Sequence, residues 1–141
     1  MLKDILIVDG YNVIFAWQSL KKLANESLEH ARMELRNQLL NYGKFKGYEV
    51  ILVFDGKYTK SIASIEEITK GFIEVYTDDG ETADSFIERE VFLRQGKYTN
   101  VYVVTSDGAE QNQILGSGGL RIPARELQND MRLAKQEERL Q

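Results

Sequence analysis

The stretch Ile5–Asn12, ILIVDGYN, decides the fold, because an apolar run ends abruptly at an acidic turn. Two later stretches share this design: Val50–Gly56, VILVFDG, and Val101–Asp107, VYVVTSD. Continuous runs of β-branched and other apolar residues are typical of strands that are buried on both faces, as in a parallel sheet covered by helices. The sequence therefore predicts an α/β fold with a mainly parallel central sheet.

Carboxylates follow these predicted strands where each strand ends. Parallel sheets bind ligands beyond the carboxyl ends of their strands, so we expect Asp9, Asp55 and Asp107 to lie at one edge. A fourth acidic stretch, Glu81–Asp84, ETAD, opens an amphipathic segment. Carboxylates that are crowded together repel one another, and a divalent cation is the simplest reason for such crowding.

Composition restricts the class of protein. The chain has 141 residues and a mass of 16.2 kDa, which predicts one domain over residues 1–141, and its 43% hydrophobic content excludes general disorder. It contains no Cys and one His, so disulfides, a zinc–sulfur cluster, a His-based metal site and a Ser-His-Asp triad are excluded. We expect that His, His30, to be a surface residue.

The formal net charge is −4, from 18 Lys and Arg against 22 Asp and Glu. This balance argues against a protein that coats polyanions, although a nucleic-acid enzyme with acids around a metal remains possible. No apolar run approaches the roughly 18 residues that span a bilayer, so no membrane association is predicted. Met1 leads straight into the first strand without a signal peptide, and a cytoplasmic location is expected.

The pattern alternates strands and helices, which predicts a three-layer α/β/α sandwich. We expect helices that start after Ser27 and Thr82, a short helix from Ala109, and a terminal helix with Pro123 in its first turn. Residues 61–71 read as an irregular piece or edge strand, 116–119 as a flexible connector without a phosphate-binding pattern, and 135–141 as a fraying end. Strands are predicted at about 4–9, 50–54, 72–76, 100–104 and 120–122.

Each acidic motif also has an ordinary structural explanation. Asp9-Gly10 suits a tight turn with Asn12 as a cap. Glu81 and Asp84 would stabilise a helix start through the macrodipole, and Thr105–Asp107 could form another helix cap. Their joint occurrence at one end of neighbouring strands favours a shared site over these separate explanations.

Metal-assisted hydrolysis of a phosphodiester fits this set of residues. Carboxylate oxygens suit Mg²⁺ or Mn²⁺, which bind through a few carboxylates and substrate phosphate while keeping several waters. One ion lowers the pKa of a water, and a second ion, if there is one, would stabilise the leaving oxygen. No side-chain nucleophile is needed, which agrees with the missing Cys and the single His.

Two further groups of residues allow either an RNA-binding or a structural interpretation. Tyr11, Phe15 and Trp17 follow the first acidic turn, where aromatic rings could stack on bases or anchor the chain in the core. Arg121 and Arg125 flank the only Pro and could contact RNA phosphate or form surface ion pairs.

Asp9–Asn12, Glu81–Asp84 and Thr105–Asp107, with Gly118–Arg121 and Ala124–Leu127, resemble the YacP-like branch of the NYN domain family, which is related to the PIN nucleases. The resemblance covers nearly the whole chain and implies a PIN-like sandwich that cleaves RNA with Mg²⁺ or Mn²⁺. By position it implies that Asp9, Asp84 and Asp107 are the metal-binding acids and that Asn12 completes the catalytic set. Thr105 and Ser106 would hold a water or phosphate, and Asp55 and Glu81 would support the site.

The YacP-like branch is linked to cleavage of mRNA on the translating ribosome, so the resemblance implies mRNA and the ribosome as partners. A catalytically inactive RNA-binding or ribosome-binding module with the same fold remains the alternative. A phosphatase of the haloacid dehalogenase type is disfavoured, because it needs a second Asp two residues after the first, where this chain has Tyr11. The oligomeric state, the number of metal ions and the RNA sequence preference are not predicted.

Overall fold

The computed structural model of the chain describes residues 3–58, 63–96, 99–105 and 118–140. A single 3₁₀ turn, Gly56–Tyr58, follows the second strand. The other described elements, in chain order, are β1 (Ile5–Asp9), α1 (Gly10–Ala16), α2 (Gln18–Glu26), α3 (Leu28–Lys46), β2 (Glu49–Phe54), β3 (Ser64–Thr69), β4 (Phe72–Tyr76), α4 (Ala83–Arg94), β5 (Val101–Thr105), β6 (Leu120–Pro123) and α5 (Ala124–Leu140).

The strands form one six-stranded sheet in the order β3-β4-β2-β1-β5-β6. The strand pairs are parallel except β3–β4, which is antiparallel and places β3 at an edge. All five residues of β1 are buried, as the apolar run predicted. The prediction of a mainly parallel sheet is confirmed, and so is the edge strand within residues 61–71.

Helices cover both faces of the sheet. The even-numbered residues of β1, Leu6 and Val8, pack into a core with α1, α2, α3 and α5. The odd-numbered residues Ile5 and Ile7 pack into a second core with α4. This division follows from the two-residue period of a strand, and it confirms the three-layer α/β/α sandwich.

Local capping fixes the starts of α3 and α4. The Ser27 hydroxyl accepts a hydrogen bond from the His30 backbone N–H at 3.1 Å, and the Thr82 hydroxyl accepts one from the Ser85 N–H at 3.1 Å. Each cap satisfies a backbone donor that lacks a partner inside the helix. Gly47 ends α3 in the left-handed conformation, with φ of 76°. His30 is exposed, as predicted.

Five predictions for the connecting segments and the terminal helix need correction or lie partly or wholly outside the described residues. The Asp9-Gly10 turn leads directly into α1, and α2 follows it, where the sequence predicted no helix. Pro123 is the last residue of β6 and not part of α5. Helix α5 continues to Leu140, past residue 135, where the sequence predicted a fraying end. The short helix predicted from Ala109 lies outside the described residues, as does half of the 116–119 connector.

None of the helices in the described ranges is both long and apolar enough to cross a membrane.

Candidate active site

Side chains in β1 and β2 point alternately to the two faces of the sheet, and this alternation places two acidic residues on the same face. Asp9 is the last residue of β1 and lies opposite Val53 of β2, so Asp55 follows two residues beyond on the neighbouring strand. Val53 and the odd-numbered residues of β1 face α4. Asp9 and Asp55 continue that pattern at the carboxyl ends of their strands.

Gly10 lets the chain turn into α1 immediately after Asp9. A Cβ at this position would lie 2.3 Å from Cε1 of Phe54, closer than real Cβ contacts come. Only glycine therefore allows the first turn of α1 to pack against the end of β2 while Asp9 stays in the sheet. The sequence indicated that Gly10 permits a tight turn; in the structure β1 runs directly into α1, and close packing is what requires glycine.

The first turn of α4 brings a third carboxylate to this place. Asp84 follows the Thr82 cap, and α4 packs over the face toward which Asp9 and Asp55 point. These three acids and Asn12 line one cavity of about 240 Å³. The other residues on its walls are Tyr11, Phe15, Thr82 and Ala83.

Hydrogen bonds hold two of the acids in place. Asn12 Nδ2 donates to Asp9 Oδ2, and the Asp9 residue is 5% exposed, so its carboxylate is largely removed from water. Asp55 Oδ1 accepts from the backbone N–H of Lys57 at 2.9 Å, as in an Asx turn. The turn and the site interpretations of Asp55 are thus compatible, because the residue forms the turn and also lines the cavity.

The remaining predicted residues divide into three cases. Thr105 ends β5 and is buried, and its hydroxyl oxygen has no hydrogen-bond partner in the described structure. Ser106 and Asp107 lie outside the described residues. Glu81 is not one of the residues that line the cavity, and its carboxylate pairs with Arg89, with Nη2 to Oε1 at 3.4 Å. The supporting role predicted for Glu81 stays a prediction.

The chemistry of the cavity wall suits a hard cation. The side chains that line it offer carboxylate, amide and hydroxyl oxygens, and none of these described lining residues is Lys, Arg, His or Cys. Oxygen ligands without imidazole or thiolate favour Mg²⁺ or Mn²⁺ over Zn²⁺. Within the described ranges no three acidic or imidazole groups meet closely enough to hold a metal on their own. Asp9, Asp55 and Asp84 are the described residues that could ligate such an ion with waters.

Tyr11 was open to an RNA-binding or a structural interpretation; it lines the cavity, but its surroundings favour the structural one. Tyr11 is 4% exposed, and its ring packs on Phe54 at a centroid distance of 5.0 Å. Its hydroxyl accepts from Arg32 Nη1 at 3.2 Å, and burial raises the pKa of Tyr11 although the Arg32 guanidinium opposes that change. Trp17 is also buried and donates its indole N–H to the Ala124 carbonyl at 2.8 Å. Phe15, by contrast, is 47% exposed and lines the cavity.

The two arginines near the chain end occupy different positions. Arg121 is half-buried within β6, opposite Val103, and so lies inside the sheet and not at the carboxyl end of its strand. Arg125 is exposed in the first turn of α5. Pro123 pairs with Thr105 at the carboxyl end of β5, and β5 runs parallel to β1. Arg125 therefore comes just after the end of the sheet at which Asp9 lies. Of the two arginines, Arg125 is therefore the one exposed beyond this end of the sheet.

A mainly parallel sheet between helical layers, with acids at the carboxyl ends of its central strands, is the arrangement of a PIN-like domain. The family model of the YacP-like NYN domain matches residues 6–141, and the chain belongs to this family. The resemblance drawn from the sequence motifs is thereby confirmed. The family is one of nuclease-like, RNA-related domains.

Relatives support the same assignment. The chain is 42% identical over 125 residues to "Uncharacterized protein YacP" of Bacillus subtilis (strain 168), covering 88% of this chain and 72% of that protein. It is also similar to two crystal structures of Rae1 (YacP) from Bacillus subtilis. One, of a point variant, gives a TM-score of 0.79 at 36% identity and covers 95% of this chain and 77% of the other. The second gives 0.77 at 37% identity and covers 97% and 79%.

Proposed function

We propose that this protein is a metal-dependent endoribonuclease that hydrolyses phosphodiester bonds in RNA, with mRNA on the ribosome as its substrate. Membership of the YacP-like NYN family supports a nuclease-like, RNA-related activity. The observation that carries the proposal is the single cavity that Asp9, Asp55 and Asp84 line from three separate parts of the chain. These residues are far apart in the sequence, so it is the fold that places them around one cavity.

Electrostatics supports the involvement of a cation. A phosphate about 4 Å from one carboxylate is repelled by about 4 kcal/mol at an effective dielectric constant of about 20. The cavity has three such carboxylates, and no described residue on its wall carries a positive charge. RNA would therefore bind there only if a cation offset the acids. Mg²⁺ and Mn²⁺ fit, because they accept carboxylate oxygens and keep waters and phosphate oxygens as further ligands.

The residues of the site have distinct roles in this proposal. Asp9, Asp84 and Asp107 would hold the ion. A bound Mg²⁺ or Mn²⁺ supplies a Lewis acid that lowers the pKa of a water and polarises the phosphodiester. Asn12 orients the Asp9 carboxylate through its amide, which donates to Oδ2. Asp55 adds a further negative charge to the cavity wall.

Hydroxyl groups at the end of β5 would complete the substrate contacts. Thr105 has a buried hydroxyl that is not hydrogen-bonded to any described residue, and burying a polar group without a partner is costly. A substrate water or phosphate oxygen beside it would remove that cost. Ser106 follows it in the chain and would contribute a second hydroxyl. Arg125, exposed at the same edge of the sheet, would contact the RNA backbone.

The test is to incubate purified protein with free mRNA and with translating ribosomes, in Mg²⁺ or Mn²⁺ and in EDTA. We expect cleavage that EDTA abolishes and that Asp9→Asn removes. Asp4→Asn is the matched control, because Asp4 lies beside the other end of β1, where Oδ1 accepts from the Asn100 N–H at 3.1 Å. An amide oxygen at position 4 keeps that acceptor, so activity should persist.

Two outcomes would replace the proposal. Undiminished cleavage by Asp9→Asn would mean that the cavity is not the catalytic site. RNA or ribosome binding without cleavage by the unaltered protein would favour the inactive binding module. Cleavage of free mRNA at the same rate as ribosome-bound mRNA would retain the nuclease and remove the ribosome from the proposal.

A further inference from the structure

Phe15 occupies an unusual position on the wall of the acidic cavity. Of the large apolar side chains that the structure describes as exposed, it alone lines this cavity. A single exposed apolar residue needs no functional explanation by itself. Here, however, an exposed aromatic ring borders a cavity whose other lining residues are three Asp, an Asn, a Thr, an Ala and the buried Tyr11. The ring of Phe15 is also supported by specific contacts within the fold.

The ring of Phe15 continues a row of aromatic rings that begins in the sheet. Tyr76 stacks on Phe54 at 5.4 Å with an interplanar angle of 30°, and Phe54 contacts Tyr11 at 5.0 Å. Tyr11 in turn stacks on Phe15 at 6.3 Å with an angle of 27°. These distances lie in the range of favourable aromatic pairs. Phe15 is therefore the exposed end of a row whose other members are anchored in the fold.

The helix geometry of α1 explains this placement. Tyr11 and Phe15 are four residues apart, so their side chains are neighbours on one face of the helix. Asn12, which binds Asp9, is three residues before Phe15 and also lies one turn away. The hydroxyl of Tyr11 is held by Arg32, so the ring beneath Phe15 is fixed at both ends. The same short helix thus orients a carboxylate and presents a supported aromatic ring beside it.

We propose that Phe15 stacks on the base next to the phosphodiester that is cleaved, and so positions the nucleotide in the site. This inference rests on the proposed RNA-cleaving function and adds to it a residue that positions the nucleotide. The base attached to a bound phosphate needs a flat apolar surface, and Phe15 is the exposed ring that the described cavity offers. Stacking accepts any base, so Phe15 sets the position of the nucleotide and leaves its identity open.

The effect of Phe15→Ala should appear in binding. Loss of one base–aromatic stack should raise KM roughly 5- to 100-fold, with kcat changed by less than about threefold. Phe15→Trp should retain the wild-type KM, because indole offers an equal or larger stacking surface. Phe92→Ala is the matched control: Phe92 is 65% exposed on α4 and does not line the cavity. Thermal unfolding of each variant separates a loss of fold from a loss of stacking.

A direct readout of stacking uses short RNAs that carry 2-aminopurine at successive positions, because its fluorescence falls when the base stacks. Stopped-flow mixing in Mg²⁺ records the signal before cleavage. We expect quenching at one position with the wild type, Phe15→Trp and Phe92→Ala, and no quenching with Phe15→Ala. Equal quenching by Phe15→Ala, or none by the wild type at any position, would overturn the inference.

The two proposals fail in different ways. Quenching that depends on Phe15, without cleavage of any RNA, would remove the nuclease and retain the stacking residue. Cleavage that depends on Asp9, with no quenching that depends on Phe15, would retain the nuclease and remove the stacking residue.

Discussion

The buried ion pair between α3 and β4 allows a quantitative test of how much this contact between helix and sheet stabilises the fold. Glu74 is in the middle of β4 and is 1% exposed. Arg36 binds it through two parallel contacts, Nε to Oε1 and Nη2 to Oε2, both at 2.8 Å. The Tyr76 hydroxyl donates to Oε2 at 3.2 Å, and burial, with Glu74 as the next cause, raises the pKa of Tyr76 to about 12. We expect Arg36→Met to leave Glu74 as a buried carboxylate without its cation.

The magnitude follows from the exposure of the two partners. Removing one member of a buried pair costs about 3–5 kcal/mol. Because 30% of the Arg36 side chain is exposed, water partly reaches the contact, and we lower the expected loss to about 2–4 kcal/mol. With a urea m-value of about 2 kcal/mol/M, the unfolding midpoint should fall by about 1–2 M. The double variant Arg36→Met with Glu74→Met should recover most of the loss, since apolar residues often replace buried pairs without cost.

Urea unfolding can be followed by the fluorescence of Trp17, the single Trp of the chain, which is buried. Arg94→Met is the control, because Arg94 pairs with Glu90 on the surface of α4 at 2.8 Å and should lose less than about 0.5 kcal/mol. A loss below about 1 kcal/mol for Arg36→Met would refute the reasoning. So would a double variant that is less stable than Arg36→Met alone.

Two further substitutions test local features near the site. Gly10→Ala should destabilise the fold by about 1–3 kcal/mol, because the new Cβ would meet the Phe54 ring at 2.3 Å. Gly80→Ala is the control: a Cβ there would have no atom within 4 Å, so this variant should unfold near the wild-type temperature. Equal melting of the two variants would contradict the packing role of Gly10. Ser27→Ala should cost about 1 kcal/mol in urea unfolding, because the His30 N–H loses its cap, and an unchanged midpoint would show that the cap does not matter.

Much of the fold could be predicted because its signals are local. The strands that form the centre of the sheet are continuous apolar runs, and α3 has both a cap at Ser27 and buried residues at helical spacing. Helix α1 was missed because it is seven residues long, has no side-chain cap, and begins at Gly10, which reads as part of a turn. The length of α5 was underestimated because its last turns are mostly charged and exposed, which reads as fraying.

The site was less predictable, because its contacts join residues distant in the chain. Asp9 and Asp55 could be predicted because each directly follows an apolar run that reads as a strand, and ligands bind at the carboxyl ends of parallel strands. Glu81 has the same local signal as Asp84, and only the fold shows that Asp84 lines the cavity while Glu81 pairs with Arg89. Similarly, the sequence does not distinguish the buried ring of Tyr11 from an exposed one. That distinction depends on a contact with Phe54, 43 residues further along the chain.

The shared cavity is best tested by calorimetric titration of the purified protein with Mn²⁺. The wild type and the Asp4→Asn control should bind the ion, and Asp9→Asn and Asp84→Asn should each weaken binding at least about tenfold. Circular dichroism should show that all four proteins are folded. Mn²⁺ binding that is the same in all four, or absent from the folded wild type, would contradict the view that these acids meet to hold one cation.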